Sequence, residues 1–156
     1  QSIANLPEDY RSRFTFFFAG RVGKTIRETF YTLLGQITDV NVIVKDEFCS
    51  YGFFASLCKA ADAILMPYKL DSASSGIIGY ASQFKKPVIA TSSGLIGLLV
   101  SKYRLGYLLP SVDEKSLTES YRQVLNGGIP NPDMEYCNTH TINVFQESIA
   151  ARFNIQ

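Results

Sequence analysis

Several features that would mark particular classes of protein are scarce or missing in this sequence. Its 156 residues include one histidine and three cysteines, and the formal net charge is +1. Cys49, Cys58 and Cys137 lie far apart and form no CxxC pair, so the pattern disfavours a metal site and fits a reducing compartment. No basic stripe indicates nucleic-acid binding. No apolar run approaches the length of a membrane span, and no signal peptide is recognisable.

What is present favours one folded domain. Hydrophobic residues make up 46% of the chain, which is enough for a real core. No G-x-G-x-x-G follows a predicted strand, so a dinucleotide dehydrogenase is a poor interpretation. The chain starts with Gln rather than Met, and we expect it to be a piece of a longer protein.

Strand patterns and helix patterns alternate along the chain. Strands are predicted at residues 14–19, 40–44, 63–66, 87–90 and 107–109, and helices at 25–37, 50–61, 74–84, 95–103, 113–125 and 134–153. Ser50 is a predicted N-cap, as is either Ser111 or Asp113, and Gly106 is a predicted C-cap residue. This alternation predicts an α/β fold with a Rossmann-like, doubly wound parallel sheet.

The stretch from 62 to 94 is the one around which the other elements are arranged. It reads as strand, loop, helix, strand, and it places hydroxyl- and Gly-rich loops where parallel sheets bind ligands. Ser74, Ser75 and Gly76 open the helix, where free backbone N–H groups and the helix dipole favour an anion such as phosphate. The alternative is that one of these serines merely caps the helix.

The order and spacing of these motifs resemble the C-terminal domain of retaining GT-B glycosyltransferases, of the bacterial group 1 type. The motifs are Pro67-Tyr68, Ser75-Gly76, Ala81, residues 87–91 with Gly94, and residues 103–107. The resemblance runs from the first predicted strand to the last helix. It implies one half of a GT-B fold, so that residues 1–156 are a single, N-terminally truncated donor-binding domain. The N-terminal acceptor-binding domain would lie outside this chain.

The resemblance also implies a donor site. Ser74, Ser75 and Gly76 would meet the diphosphate of a nucleotide-sugar such as a UDP- or GDP-sugar. The nucleobase and ribose would lie near Asp46, Glu47, Phe48 and Tyr80. The sugar would lie near Ser72, Ser93 and Gly94. No catalytic residue is assigned, and no cofactor or metal is expected.

Three positions depart from the family pattern. Ser72 and Tyr80 stand where the family often carries two glutamates eight residues apart, and Leu98 stands at another commonly acidic position. The second glutamate commonly holds the ribose hydroxyls, and the first contacts the donor sugar. The sequence therefore defines the phosphate end of the site better than its sugar end.

Arg21 has two interpretations. With Lys24 or Arg27 it could be the family's cation set beside the diphosphate. Alternatively, residues 2–13 are the tail of a helix, and the strand at 14–19 is the second strand of the domain. The true Arg/Lys pair would then lie upstream, and Arg21 would be a solvated loop cation. We favour the second interpretation.

Two hypotheses about function remain. One is the donor-binding half of a glycosyltransferase in polysaccharide or glycolipid synthesis, cytoplasmic or peripheral at the inner face of a membrane. This half would need the acceptor domain for activity. The other is a non-catalytic Rossmann-like module that binds a nucleotide or a partner.

Overall fold

The computed structural model describes residues 1–69 and 75–153. Five strands lie in these ranges: β1 Thr15–Ala19, β2 Asn41–Lys45, β3 Ile64–Met66, β4 Val88–Thr91 and β5 Gly106–Leu109. The helices of the same ranges are α1 Glu8–Arg11, α2 Arg27–Leu34, α3 Tyr51–Ala60, α4 Ile77–Gln83, α5 Gly94–Lys102, α6 Glu114–Leu125, α7 Glu135–Thr139 and α8 Ile142–Phe153.

The strands form parallel sheets, as predicted. β1 pairs with β2, with Phe17 opposite Ile43, and β4 lies between β3 and β5. The predicted fold class, α/β with alternating strands and helices and parallel pairing, is confirmed. One difference is that the strands divide into a two-stranded and a three-stranded sheet, since no pairing of described residues joins β1 to β3.

Helices cover both faces of the strands. On β1, Phe16 packs edge-on against Tyr121 of α6 at 5.1 Å between ring centroids, and Phe18 packs against Phe30 of α2 at 5.5 Å. Phe17 points to the opposite face and meets Phe53 of α3 at 6.4 Å. Successive side chains of a strand alternate between faces, so α2 and α6 lie on one side and α3 on the other.

The main core surrounds β4, whose four residues are all buried. Val88 and Ala90 pack with Ile78 of α4 and Ile96 of α5, on the α3 side of the strands. Ile89 faces the α6 side. A continuous apolar strand that is buried on both faces is what a central position in a parallel sheet requires.

Two predicted helix starts are confirmed by their hydrogen bonds. Ser50 Oγ accepts from the backbone N–H of Phe53 at 3.3 Å, at the start of α3. Asp113 Oδ1 accepts from the backbone N–H of Ser116 at 2.7 Å, at the start of α6. Of the two predicted alternatives for α6, Asp113 is therefore the cap.

The last predicted helix is wrong as a single element, because it breaks at His140 into α7 and α8. Thr139 turns its hydroxyl back to the carbonyl of Glu135, and Thr141 Oγ1 accepts from the N–H of Val144 to begin α8. Such local bonds of β-branched residues compete with an unbroken helix.

The prediction for Gly106 is also wrong. α5 ends at Lys102, and Gly106 opens β5 with φ of 155°. A Cβ at this position would lie 2.0 Å from the carbonyl oxygen of Val88, so only glycine permits β5 to approach β4 so closely.

Candidate functional site

A first cleft lies where β1 and β2 end. It has a volume of about 510 Å³, and its lining residues are Ala19, Gly20, Arg21, Phe48, Cys49 and Phe54. Gly20 and Arg21 follow β1 directly, and Phe48 and Cys49 belong to the loop after β2. The two parallel strands deliver both loops to the same edge, so this cleft occupies the usual ligand edge of an α/β fold.

Asp46 directly follows β2, and its carboxylate is engaged by other residues of the protein. Its carboxylate accepts from the N–H of Val22 at 2.8 Å and from the hydroxyl of Tyr31 at 2.8 Å, and Arg27 Nη1 lies 2.6 Å away. The side chain is only 8% exposed. The Val22 N–H, with Tyr31 and Arg27, holds the pKa of Asp46 below its usual value. Asp46 therefore ties the loop after β1 to the loop after β2.

The other residues predicted near the nucleobase differ in position. Phe48 lines the cleft and is 77% exposed, so its ring is available for stacking. Glu47 is exposed and pairs with Lys45. Tyr80 lies in α4, and its ring packs against Phe54 at 5.4 Å between centroids, behind the cleft wall.

Arg21 is an exposed residue at the rim of the first cleft. No carboxylate among the described residues lies within ion-pair distance of it. Arg27, which the sequence offered as its companion, is instead committed to Asp46. Of Arg21 and Arg27, only Arg21 therefore lines the first cleft.

A second cleft, of about 330 Å³, lies at the carboxyl ends of β3, β4 and β5. Hydroxyl side chains and one cation dominate its wall: Tyr68, Lys69, Thr91, Ser92, Ser93 and Ser111. Each strand contributes the loop that follows it. None of the described residues that line the wall is Asp or Glu, and the lysine and hydroxyl donors among them suit a ligand that is negatively charged and accepts hydrogen bonds.

The start of α4 reaches this second cleft through Ser75. The hydroxyl of Ser75 lies 3.4 Å from the hydroxyl of Tyr68, which lines the cleft. Ser75 Oγ also accepts from the N–H of Ile77 at 3.3 Å, while the N-cap residue of α4 is Gly76, which makes no side-chain cap hydrogen bond. Gly76 is exposed, and a Cβ there would meet no atom of the described residues within 4 Å. The backbone at Gly76 is therefore open to a ligand.

The loop after β4 is fixed from both sides. Thr91 Oγ1 lies 2.9 Å from Ser93 Oγ and accepts from the N–H of Ser93 at 3.3 Å. Gly94 follows with φ of 65°, a conformation that favours glycine. Gly97 of α5 lies against Ser92, where a Cβ would come within 2.2 Å of the Ser92 carbonyl oxygen. Sequence inspection did not single out Gly97.

Lys69 is the residue that the sequence predictions missed in this cleft. It follows Pro67-Tyr68 directly after β3. Its position at the end of a strand was the feature of the sequence that could have identified it as a site residue. Ser72 and Ser74 lie outside the described residues. Leu98 is on α5 and is 69% exposed, so the position that is commonly acidic in the resembling family faces solvent.

Comparison with known proteins adds no assignment. No protein-family model matches the chain, and no curated protein matches its sequence. Within residues 1–69 and 75–153, no helix is long and apolar enough to cross a membrane. The same ranges contain no group of three His, Cys, Asp or Glu side chains placed to share a metal ion.

Proposed function

We propose that this chain is the donor-binding half of a glycosyltransferase and that it holds a nucleotide-diphosphate sugar across its two clefts. The observation that carries the proposal is the second cleft. There, Lys69 and a set of hydroxyl groups from three strand ends converge, and Ser75 brings the open backbone of Gly76 to the same place. A diphosphate is an anion rich in acceptors and fits such a wall.

The nucleobase belongs in the first cleft in this proposal. Phe48 offers an exposed ring, and Phe54 adds an apolar wall beneath it. Bases stack on aromatic side chains, and the guanidinium of Arg21 offers a second planar group at the rim. Asp46 links the loops after β1 and β2 and does not contact the base in this proposal, because its oxygens are already engaged.

The chemistry proposed for the full-length protein is transfer of a sugar to an acceptor hydroxyl. The bond from the sugar C1 to the phosphate oxygen breaks, and its electron pair leaves with the diphosphate. The acceptor oxygen bonds to C1, and its proton passes to the departing diphosphate. Lys69 and the backbone N–H groups at Gly76 would stabilise the charge that grows on the leaving group.

Titration calorimetry with UDP, GDP and their sugars tests this proposal. We expect a saturable complex with at least one of these nucleotides. The substitution Gly76→Val places a branched side chain where phosphate would approach and should weaken binding by about tenfold or more. The backbone at Gly76 has φ of −60°, and no described residue would crowd the new side chain's Cβ, so the fold should tolerate the change.

Gly52→Val is the matched control. Gly52 lies in the first turn of α3, a Cβ there would meet no described residue within 4 Å, and Gly52 lines neither cleft. Its nucleotide affinity should equal that of the unsubstituted protein. Equal nucleotide affinity of the Gly76→Val and Gly52→Val proteins would show that the phosphate does not bind at the start of α4. Absence of binding by every nucleotide tested would refute the proposed function.

A non-catalytic nucleotide- or partner-binding module is the second candidate. The positions that favour it are Tyr80, whose ring packs against Phe54, and Leu98, which presents an apolar surface. Neither provides the carboxylate that commonly contacts ribose or sugar in the resembling family. Binding of UDP or GDP with equal affinity to that of their sugars would favour this candidate, since a donor site must also recognise the sugar.

A further inference from the structure

The first cleft offers a ligand one kind of strong hydrogen-bonding group. Among the described residues that line it, only Arg21 and Cys49 have a polar side chain. The thiol of Cys49 donates to the backbone carbonyl of Glu47 at 3.7 Å, so its hydrogen is directed to the protein. A guanidinium has five N–H donors and no acceptor. The strong hydrogen-bonding groups on the described side chains of this cleft are therefore all donors.

The carboxylates nearest in sequence do not change this balance. Asp46 is engaged by three donors of the protein, and its side chain is almost fully buried. Glu47 pairs with Lys45 and does not line the cleft. Among the described residues, no carboxylate lies within ion-pair distance of Arg21. Its planar guanidinium is thus available to a ligand in the cleft.

The loops that carry Arg21 and Phe48 are tied to each other. Val22, the neighbour of Arg21, donates its N–H to the carboxylate of Asp46 at 2.8 Å, and Asp46 lies two residues before Phe48. The ring of Phe48 is exposed and suits stacking with the face of a base. Because both loops are held before a ligand arrives, little affinity is lost in ordering them. The guanidinium can then select the base by its edge.

The common bases differ in what they present to a pair of donors. Guanine has two adjacent acceptors, O6 and N7, and an arginine side chain can bond to both at once. Adenine keeps N7 but has the N6 amino group in place of O6, and cytosine has the N4 amino group. An amino group set against a guanidinium leaves donors without acceptors, which costs affinity once they are removed from water. Uracil offers the single acceptor O4 on the corresponding edge.

We propose that the first cleft selects guanine, that Arg21 recognises it through O6 and N7, and that the donor is therefore a GDP-sugar. This inference rests on the proposed function, because it names the nucleotide of the same donor site. Arg21 then contacts the base, while Lys69 in the second cleft contacts the diphosphate. A contact of Arg21 with the diphosphate itself is the alternative that the experiments separate.

Titration calorimetry with GDP, UDP, ADP and CDP tests the selection of the base. A bidentate arginine contact discriminates against the wrong base by roughly 5- to 150-fold, so GDP should bind more tightly than ADP or CDP by such a factor, with UDP between them. Similar affinity for all four, or tighter binding of any of the other three, would overturn the inference and leave the proposed nucleotide site standing. Absence of binding by all four would refute the proposed function as well.

Arg21→Gln separates recognition of the base from attraction to phosphate. A glutamine amide matches N6 and N7 of adenine and not O6 and N7 of guanine. GDP should bind this variant at least ~5-fold more weakly, whereas ADP and pyrophosphate should bind no more weakly than before. Arg13→Gln is the matched control, since Arg13 is exposed and lines neither cleft, and it should keep the preference for GDP. An equal loss of affinity for GDP, ADP and pyrophosphate in Arg21→Gln, or an unchanged preference, would overturn the inference.

Two analogues of GDP test the acceptors without any substitution in the protein. The 7-deaza analogue has carbon in place of N7 and should bind at least ~10-fold more weakly than GDP, because a hydrogen bond to a charged group is lost. Inosine diphosphate keeps O6 and N7 and lacks only the 2-amino group, so its affinity should match that of GDP. Binding of the 7-deaza analogue as tightly as GDP, or marked discrimination against inosine diphosphate, would show that Arg21 does not recognise this edge of guanine.

Discussion

The substitution Gly97→Ala tests how α5 positions the loop of the second cleft. The added Cβ would lie 2.2 Å from the carbonyl oxygen of Ser92 and 2.4 Å from its carbonyl carbon. Both are backbone atoms, so α5 or the loop must shift by about 1 Å to reach ordinary contact. Such overpacking costs about 3 kcal/mol at the upper end of its usual range.

The helix itself gains from the change. Alanine is favoured over glycine in a helix interior by about 1 kcal/mol, so the net loss in the free energy of unfolding is about 2 kcal/mol. For a chain of this length that loss lowers Tm by roughly 4–8 °C. The displaced Ser92 and Ser93 should also weaken nucleotide binding, which calorimetry would detect.

Gly79→Ala is the control for this prediction. Gly79 lies inside α4, and a Cβ there meets nothing within 4 Å, so Tm should rise slightly. Thermal unfolding followed by circular dichroism measures both variants. A rise in Tm for Gly97→Ala similar to that for Gly79→Ala would refute the close contact between α5 and Ser92.

Three further predictions follow from the structure. The pKa of Asp46 is held low, so its contribution to stability is present at neutral pH and is lost as pH falls below about 4. In Asp46→Asn the free energy of unfolding should therefore fall less steeply with decreasing pH in this range. An unchanged pH dependence in the variant would contradict this prediction. Ser50→Ala removes the hydrogen bond from the Phe53 N–H to the capping hydroxyl and should lower the free energy of unfolding by about 1 kcal/mol in urea titrations. An unchanged free energy of unfolding would show that this cap does not stabilise α3. Burial raises the pKa of the Cys58 thiol, so a thiol reagent should label Cys49 first and Cys58 only on unfolding, and nucleotide should slow labelling of Cys49 in the first cleft.

Local signals in the sequence were sufficient for the strands and for two helix starts, but not for the break at His140. Apolar runs and aromatic content predicted the five strands of the described residues, and the side-chain chemistry of Ser50 and Asp113 identified two helix starts. These features depend on residues that are close together in the chain. Glycine at 106 was placed correctly as special but assigned the wrong role, because its constraint comes from Val88 in another strand.

Features that depend on distant residues were not predictable. Asp46 was predicted to lie near a ligand because it follows a strand. Its carboxylate instead accepts hydrogen bonds from Val22 and Tyr31 and pairs with Arg27. The contact of Gly97 with Ser92 depends on the tertiary path of α5. The division into two sheets was also not predictable, since an apolar strand pattern does not indicate which strand pairs with each edge.

The central claim is that the second cleft binds the diphosphate of a nucleotide, and the affinity of UDP and GDP for Lys69→Gln measures it most directly. Loss of a charge-assisted contact should cost about 1.5–3 kcal/mol, which corresponds to roughly 10- to 150-fold weaker binding. Lys115→Gln, an exposed lysine at the start of α6, is the matched control and should bind as the unsubstituted protein does. Uridine and guanosine, which lack the diphosphate, should bind the Lys69→Gln and control proteins equally. Unchanged nucleotide affinity in Lys69→Gln would contradict the account.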